Sequence, residues 1–357
     1  MASGPYGAHM PQLFCLWIML EYGFRAASYN RILGGSAQPG ERSEKRRDMT
    51  MKILTALQAA GVATFLTAGS VLAQGLEIVG QPLPEKMGFQ PAATEFAADQ
   101  HWLDNFLLVI ITIISVFVTL LLIWCIVRYN AKANPKPATF THNSPLEVAW
   151  TIIPIIILVG IGAFSLPVLF KDQTIPEADV TIKVTGYQWY WGYEYVDADV
   201  AFDSYMIGSP FTGGTNMMTP EVSEQLKAAG YTDQQFLLAT DTAVVVPVGK
   251  TVVMQITGAD VIHSWKIPAF GVMQDAVPGR LASLWFNAER EGVYFGQCSE
   301  LCGQMHAYMP ITVKVVSQPV YDAWLAANQA GGDYVDVNTL LTAQADLPAG
   351  NAVAANE

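Results

Sequence analysis

Two nearly continuous apolar runs, Trp102 to Tyr129 and Leu146 to about Phe170, constrain this chain more than any other feature. The first contains Leu107-Leu108-Val109-Ile110-Ile111 and stays apolar to Val127, long enough to cross about 30 Å of hydrocarbon. The second keeps span length although Pro154 and Pro167 interrupt it. A short loop carrying Arg128, Lys132 and Lys136 joins them. Cations of this kind stay on the cytoplasmic side, so residues 101–171 are predicted to form a helical hairpin with both ends of the mature chain outside.

Composition agrees with a hairpin attached to a globular part. With 52% hydrophobic and 14% charged residues, the chain is more apolar than a soluble protein and more polar than a polytopic one. A formal net charge of -12 argues against nucleic acid as a partner. It suits either the steering of a basic protein or plain solubility. Of the cysteines, Cys15 and Cys125 stand alone and Cys298 and Cys302 lie close together, which is no disulfide framework.

The remaining chain divides by texture. Residues 1–48 hold one short apolar run, Phe14 to Leu20, and a charged patch, Glu41 to Asp48. Met49-Thr50-Met51-Lys52 then opens a secretory signal pattern ending at Val71-Leu72-Ala73. Residues 49–73 are read as a signal peptide, and 1–48 as an extension ahead of the true start. Residues 74–100 form an unpatterned outer lead-in. After Asp172 the period changes. Val180 to Val184 and Ile311 to Val315 alternate, and Val244-Val245-Val246 and Thr251 to Ile256 are largely β-branched around Pro247 and Gly249. Short strands with such turns predict an antiparallel sandwich or barrel over 172–318. An insert at 208–235 breaks the rhythm; Pro220 to Ala229 is helical in pattern, with Thr219 as N-cap. Residues 319–357 carry a short helix and an Ala- and Asp-rich tail predicted to be disordered.

The chemistry concentrates in Gly296-Gln297-Cys298-Ser299-Glu300-Leu301-Cys302-Gly303-Gln304-Met305-His306-Ala307-Tyr308-Met309, with His263 upstream in Val261-Ile262-His263-Ser264-Trp265. Soft sulfur with imidazole suits copper. A mononuclear blue-copper site needs one cysteine; here a second allows two thiolates to bridge a pair of metal ions. A Cys298–Cys302 disulfide, a structural Cys2His2 zinc site that leaves Met309 unexplained, and Met309 as core filling are the competing readings.

Gly-Gln-Cys-Ser-Glu-Leu-Cys-Gly, with His-Ser-Trp upstream and the hairpin before it, resembles the cytochrome c oxidase subunit II family over about Gln74 to Trp324. The resemblance implies a two-helix transmembrane hairpin plus an all-β, cupredoxin-like Greek-key barrel holding a dinuclear copper centre, copper A. It implies Cys298 and Cys302 as bridging ligands, His263 and His306 as terminal ones, and Met309 and the backbone carbonyl of Glu300 as weak ones. It also gives the Glu300 side chain to a magnesium or manganese ion shared with subunit I; a solvated loop carboxylate is the plainer reading. Bridging thiolates in a rigid frame suit electron transfer to subunit I, where oxygen is reduced to water with proton pumping.

Tyr187-Gln188-Trp189-Tyr190-Trp191-Gly192-Tyr193-Glu194-Tyr195 reads as aromatic strand core, in which alternate residues share a face. The resemblance instead makes Trp189 the residue through which electrons arrive from cytochrome c. It matches Gln188, Glu194, Asp203, Asp241 and Asp260 to the docking surface for that basic partner. Glu147 has two readings. Ser144-Pro145-Leu146-Glu147 has the form of a capping box, and the family places a glutamate here at the cytoplasmic mouth of a proton path. Subunit I, subunit III and membrane lipid are the implied neighbours in a bacterial inner membrane.

Other classes fit less well. The copper A domain of nitrous oxide reductase belongs to a soluble enzyme, against the hairpin. A membrane-anchored copper-handling protein needs accessible exchange ligands, and quinol oxidases lack the paired cysteines. The insert is absent from the shorter mitochondrial versions, and residues 1–48 match nothing in the family.

Overall fold

The structure, a computed structural model, describes residues 75–136 and 138–345. The expected extension at 1–48, the signal peptide at 49–73 and the end of the tail lie outside the described residues.

Two long helices cover the apolar runs, α1 (Glu95–Arg128) and α2 (Ser144–Gln173). Helix α1 begins well before the apolar run at Trp102, inside the expected lead-in, because Thr94 caps it. The Thr94 hydroxyl accepts from Ala97 N at 3.0 Å and donates to Phe270 O at 2.8 Å, tying the helix start to the outer domain. Lys171 joins the two helices at that end, 2.8 Å from Glu95 and 2.7 Å from Asp99. Pro154 and Pro167 lie inside α2 without ending it. The cap of α2 differs from the expected box by one residue. Asn143 is the N-cap, its side chain accepting from Leu146 N at 3.2 Å, while Glu147 Oε1 accepts from Asn143 N at 3.3 Å.

Among the described residues the outer domain holds eleven strands: β1 (Ile78–Gly80), β2 (Val180–Tyr187), β3 (Tyr190–Tyr195), β4 (Val200–Ser204), β5 (Val244–Pro247), β6 (Thr251–Gly258), β7 (His263–Ile267), β8 (Val272–Ala276), β9 (Ala282–Asn287), β10 (Gly292–Gln297) and β11 (Pro310–Val316). One sheet runs β4-β3-β2-β6-β9, a second β1-β10-β11-β5, and β7 pairs with β8 as a separate ribbon. Both sheets are mixed: β2 runs parallel to β6, and β11 parallel to β5. They share one core, in which Ile182, Val184 and Trp191 meet Val244, Tyr294, Ile311 and Val313. The Tyr195 hydroxyl crosses between them, donating to Val245 O at 2.7 Å and accepting from Val245 N at 2.9 Å.

This corrects the expected closed barrel. Among the described residues the sheets end on unpaired edges, β4 and β9 in one and β1 and β5 in the other, so no ring of hydrogen bonds closes. The result is an open sandwich of mixed sheets.

Strand β11 departs from its pattern too. Ile311-Thr312-Val313-Lys314-Val315 alternates in sequence, yet all seven residues of the strand are buried. Helices α4 (Gln318–Gln329) and α5 (Val337–Ala345) follow it, and Asp336, just before α5, meets the Lys314 ammonium with both carboxylate oxygens, at 2.9 and 2.7 Å. Trp324 of α4 is fully buried and donates to Val335 O at 3.0 Å. The insert contributes α3 (Pro220–Ala228), capped by Thr219. Val222 and Leu226 of that helix join Ile207, Tyr231 and Phe295 in a second, smaller core.

Candidate metal centre

Strands β10 and β11 are antiparallel neighbours, and Gln297 opposes Pro310 at the end of their ladder. The loop that turns between them carries every ligand candidate except His263, which opens β7. The amide of Ser299 donates to Ser264 O at 3.0 Å, bringing the start of β7 against the start of the loop. Gly186 of β2 makes room for the imidazole: a Cβ there would fall 2.8 Å from His263 Cδ2.

The sulfurs of Cys298 and Cys302 lie 3.9 Å apart, buried and unbonded, which excludes the disulfide in this structure. Potential ligand atoms of His263, Cys298 and Cys302 all lie within 4.8 Å of one another. Around Cys302 Sγ stand His306 Nδ1 at 3.6 Å and Met309 Sδ at 3.5 Å. The Glu300 carbonyl oxygen is 3.3 Å from Cys298 Sγ, while its side chain points to solvent.

His263 is fully buried, and its two nitrogens differ. Nε2 pairs with Asp260 Oδ1 at 2.9 Å; Nδ1 is buried with no hydrogen-bond partner. A buried nitrogen lone pair without a donor is costly, and a metal ion beside the two sulfurs would satisfy it. Burial, with the Cys298 sulfur next to it, pushes the Cys302 thiol up to about 12. A cation would offset the cost of ionising it. Two thiols, two imidazoles and a thioether form a soft donor set, and the residues present fit copper.

Trp189 sits where strand periodicity does not put it. Strand β2 stops at Tyr187 and β3 starts at Tyr190, so Gln188 and Trp189 form the turn between them and share no face with Trp191 or Tyr193. Both turn residues reach one acceptor: Gln188 Nε2 donates to Cys302 O at 3.0 Å, and Trp189 Nε1 donates to the same oxygen at 3.2 Å.

The acidic set is not uniform. Asp260 also accepts from Gln188 N at 2.8 Å and Val261 N at 2.7 Å. Partial burial opposes its charge, but these bonds and the one to His263 outweigh it and hold its carboxyl below the usual range. Asp241 accepts from the amides of Tyr205 and Thr242, both at 2.8 Å. Asp203 accepts from the Tyr205 hydroxyl at 3.1 Å, and Glu194 pairs with Lys183 at 2.9 Å. Glu147 is not part of this group: it lies half-buried in the first turn of α2.

Sequence reasoning missed Gly186 and Trp191. The Trp191 ring meets His263 edge-on, with centroids 5.9 Å apart, and its indole donates to Met309 O at 3.2 Å. The aromatic run names Trp191, but only the fold shows that it touches two ligand candidates.

Comparison with known proteins matches residues 180–316 to the family model for the cytochrome c oxidase subunit II periplasmic domain. Residues 82–168 match the model for the transmembrane domain of the same subunit. The cytochrome c oxidase subunit 2 of Cereibacter sphaeroides is 64% identical over 297 residues, covering 83% of this chain and 96% of that protein. The subunit 2 of Oenothera berteroana is 39% identical over 250 residues, covering 68% and 90%. A crystal structure of the periplasmic domain of subunit II from Bradyrhizobium japonicum is 42% identical, covers 44% of this chain and 98% of that one, and has a TM-score of 0.36.

Proposed function

The chain belongs to the cytochrome c oxidase subunit II family, and on that premise we propose that its outer domain accepts electrons from a cytochrome c at a dinuclear copper centre and hands them to subunit I. It is a subunit of a membrane oxidase complex, with two spans in the bacterial inner membrane and a periplasmic C-terminal domain.

The observation that carries the reading is the pair of free, buried sulfurs 3.9 Å apart beside a buried His263 nitrogen with no partner. A bound copper pair would supply a one-electron carrier shared between two metals. On this reading Cys298 and Cys302 would hold the pair between them, with His263 and His306 as the further ligands. Met309 Sδ and the Glu300 carbonyl are the weak ligands. Asp260 keeps the proton on His263 Nε2, leaving Nδ1 free to bind. The Trp191 hydrogen bond to Met309 O holds the backbone from which that thioether projects.

Trp189 is the arrival point for the electron, supported by its direct hydrogen bond to the carbonyl of a sulfur ligand residue. Gln188, Glu194, Asp203, Asp241 and Asp260 form the surface that steers a basic cytochrome c. Of these, Asp260 has the additional task of orienting His263. The exposed Glu300 side chain is free to meet a magnesium or manganese ion at the boundary with subunit I. Glu147 caps α2, and its place in the first turn at the cytoplasmic start of that helix also suits the mouth of a proton path. Oxygen reduction to water and proton pumping then belong to subunit I, with subunit III and lipid around the hairpin. Residues 49–73 serve as the export signal.

Electron paramagnetic resonance of the purified, copper-loaded chain tests the centre. Two coppers per chain sharing one unpaired electron are expected. One copper with a mononuclear spectrum, or a preference for zinc, would refute the dinuclear reading.

A further inference from the structure

The insert at 208–235 breaks the strand rhythm, and the function above assigns it nothing. Its first turn, a 3-10 helix at Pro210–Thr212, lifts the Phe211 ring to the surface, half exposed. Phe211 lies 5.2 Å from the Tyr205 ring and 6.1 Å from Tyr190; Tyr205 is 4.7 Å from Tyr190, and Tyr190 stacks on Tyr187 at 4.7 Å. Four rings thus make one continuous aromatic shelf, running from the insert to the residue beside the Gln188-Trp189 turn.

The shelf is held in place. Thr212 Oγ1 accepts from Gly208 N at 2.9 Å and donates to Met206 O at 3.0 Å. The amide of Gly214 reaches Ser209 O at 2.7 Å, and that of Asn216 reaches Gly208 O at 2.9 Å. Gly208 has φ +88 and faces Val222, where a Cβ would come within 2.8 Å, so α3 packs closely against the base of the turn. Rings fixed this way lose little freedom when covered. Met217 and Met218, also exposed, extend the apolar surface along the insert.

Charge identifies the occupant. Asp203 accepts from the Tyr205 hydroxyl, Asp241 from the Tyr205 amide, and Asp260 from the Gln188 amide, so carboxylates adjoin the shelf. The insert itself has three acidic residues, Glu221, Glu224 and Asp233, against one lysine, Lys227. An apolar strip bordered by negative charge fits a protein with an apolar contact patch ringed by lysines.

We propose that the insert enlarges the surface on which the electron donor docks, with Phe211 as its apolar anchor and a lysine-ringed donor protein as its occupant. This rests on the reading of Trp189 as the arrival point for the electron. The carboxylates speed encounter, and the aromatic strip slows departure, because truncating an anchor ring acts mainly on dissociation. The rings that Phe211 meets are Tyr190 and Tyr205, neither in the ligand loop, so its loss should leave the metal centre unchanged.

The test uses the assembled oxidase with a lysine-rich soluble c-type cytochrome as probe, comparing Phe211→Ala, Met217→Ser with Met218→Ser, and Trp189→Phe. Phe211→Ala is expected to weaken cytochrome binding on the order of fivefold, as for an interface aromatic. The salt dependence of association, the copper spectrum and turnover with a small-molecule reductant should stay as in the parent. The methionine pair should give a smaller loss in the same direction. Unchanged binding in both insert variants, with slowed electron transfer in Trp189→Phe, would overturn this proposal alone. Unchanged transfer in Trp189→Phe would overturn the reading beneath it. Loss of another subunit from the purified Phe211→Ala complex would show the shelf covered within the oxidase, and would also overturn it.

Discussion

Replacing Asp336 by Ala leaves the Lys314 ammonium inside the domain without its counter-charge. The side chain of Lys314 is 0% exposed, and both carboxylate oxygens of Asp336 bond it, at 2.9 and 2.7 Å. Among the described residues, the Tyr231 ring, 5.7 Å away, is the other stabilising group beside that charge. Breaking a buried pair by removing one partner costs about 3–5 kcal/mol. Asp336 is 27% exposed, so water enters where its carboxylate stood, and the lower end, about 3 kcal/mol, is expected. For a domain of this size that corresponds to a fall in Tm of about 6–12 °C. The loss should depend on pH. Burial already lowers the Lys314 pKa, against the pull of Asp336, and removing Asp336 lowers it further. Between the depressed folded value and the ordinary value of the unfolded chain, the unfolded state binds more protons, so stability rises with pH. The variant is therefore weakest near neutral pH and recovers part of its deficit towards pH 10. Thermal unfolding of the metal-free chain in detergent, followed by circular dichroism from pH 6 to 10, measures this. Adding Lys314→Met to Asp336→Ala should restore most of the stability, since exchanging both partners for apolar groups is close to neutral. A deficit below about 1 kcal/mol, one that ignores pH, or a double variant no better than the single one would refute the reasoning.

Gly186→Ala places a methyl group 2.8 Å from the His263 ring, so copper binding should weaken at least tenfold while the fold survives; competition against a copper chelator measures it. Because the Cys302 thiol is pushed up to about 12, copper uptake near pH 7 must expel its proton, and a weakly buffered titration should record proton release, with affinity rising as pH rises. Trp189→Phe removes the hydrogen bond to Cys302 O and should slow electron transfer from bound cytochrome c at least tenfold in stopped-flow, with an unchanged copper spectrum. Asp203→Asn should lower the association rate at low ionic strength and lose its effect at high salt.

The hairpin and the ligand loop were legible because each is written in consecutive residues. The apolar runs need no partner to declare themselves, and Cys298, Cys302, His306 and Met309 lie in one loop. What escaped was written across the chain. Strand alternation placed Trp189 on a face with Trp191, but the strand breaks at Gln188 because Asp260 takes its amide and Cys302 O takes both side chains. Lys314 occupies a position that alternation reads as solvent-facing, and only Asp336, beyond α4, explains its burial. The barrel expectation came from short strands and turns, which do not specify parallel partners; β2 with β6 and β5 with β11 are fixed by packing between distant segments. Asp260 reads as one carboxylate of an acidic set, yet its pairing with His263 gives it a place inside the centre.

His263 begins a two-stranded ribbon that belongs to neither sheet, whereas the other ligand candidates ride on the turn between two strands of the smaller sheet. A metal ion held by both would rivet the ribbon to the sheet. Without it, that corner relies on contacts such as the Ser299 amide bond to Ser264. Segments with weaker local stability open more often and are cut more readily by proteases. Occupancy would thus show as a difference in how long the ribbon at 263–276 resists an added protease.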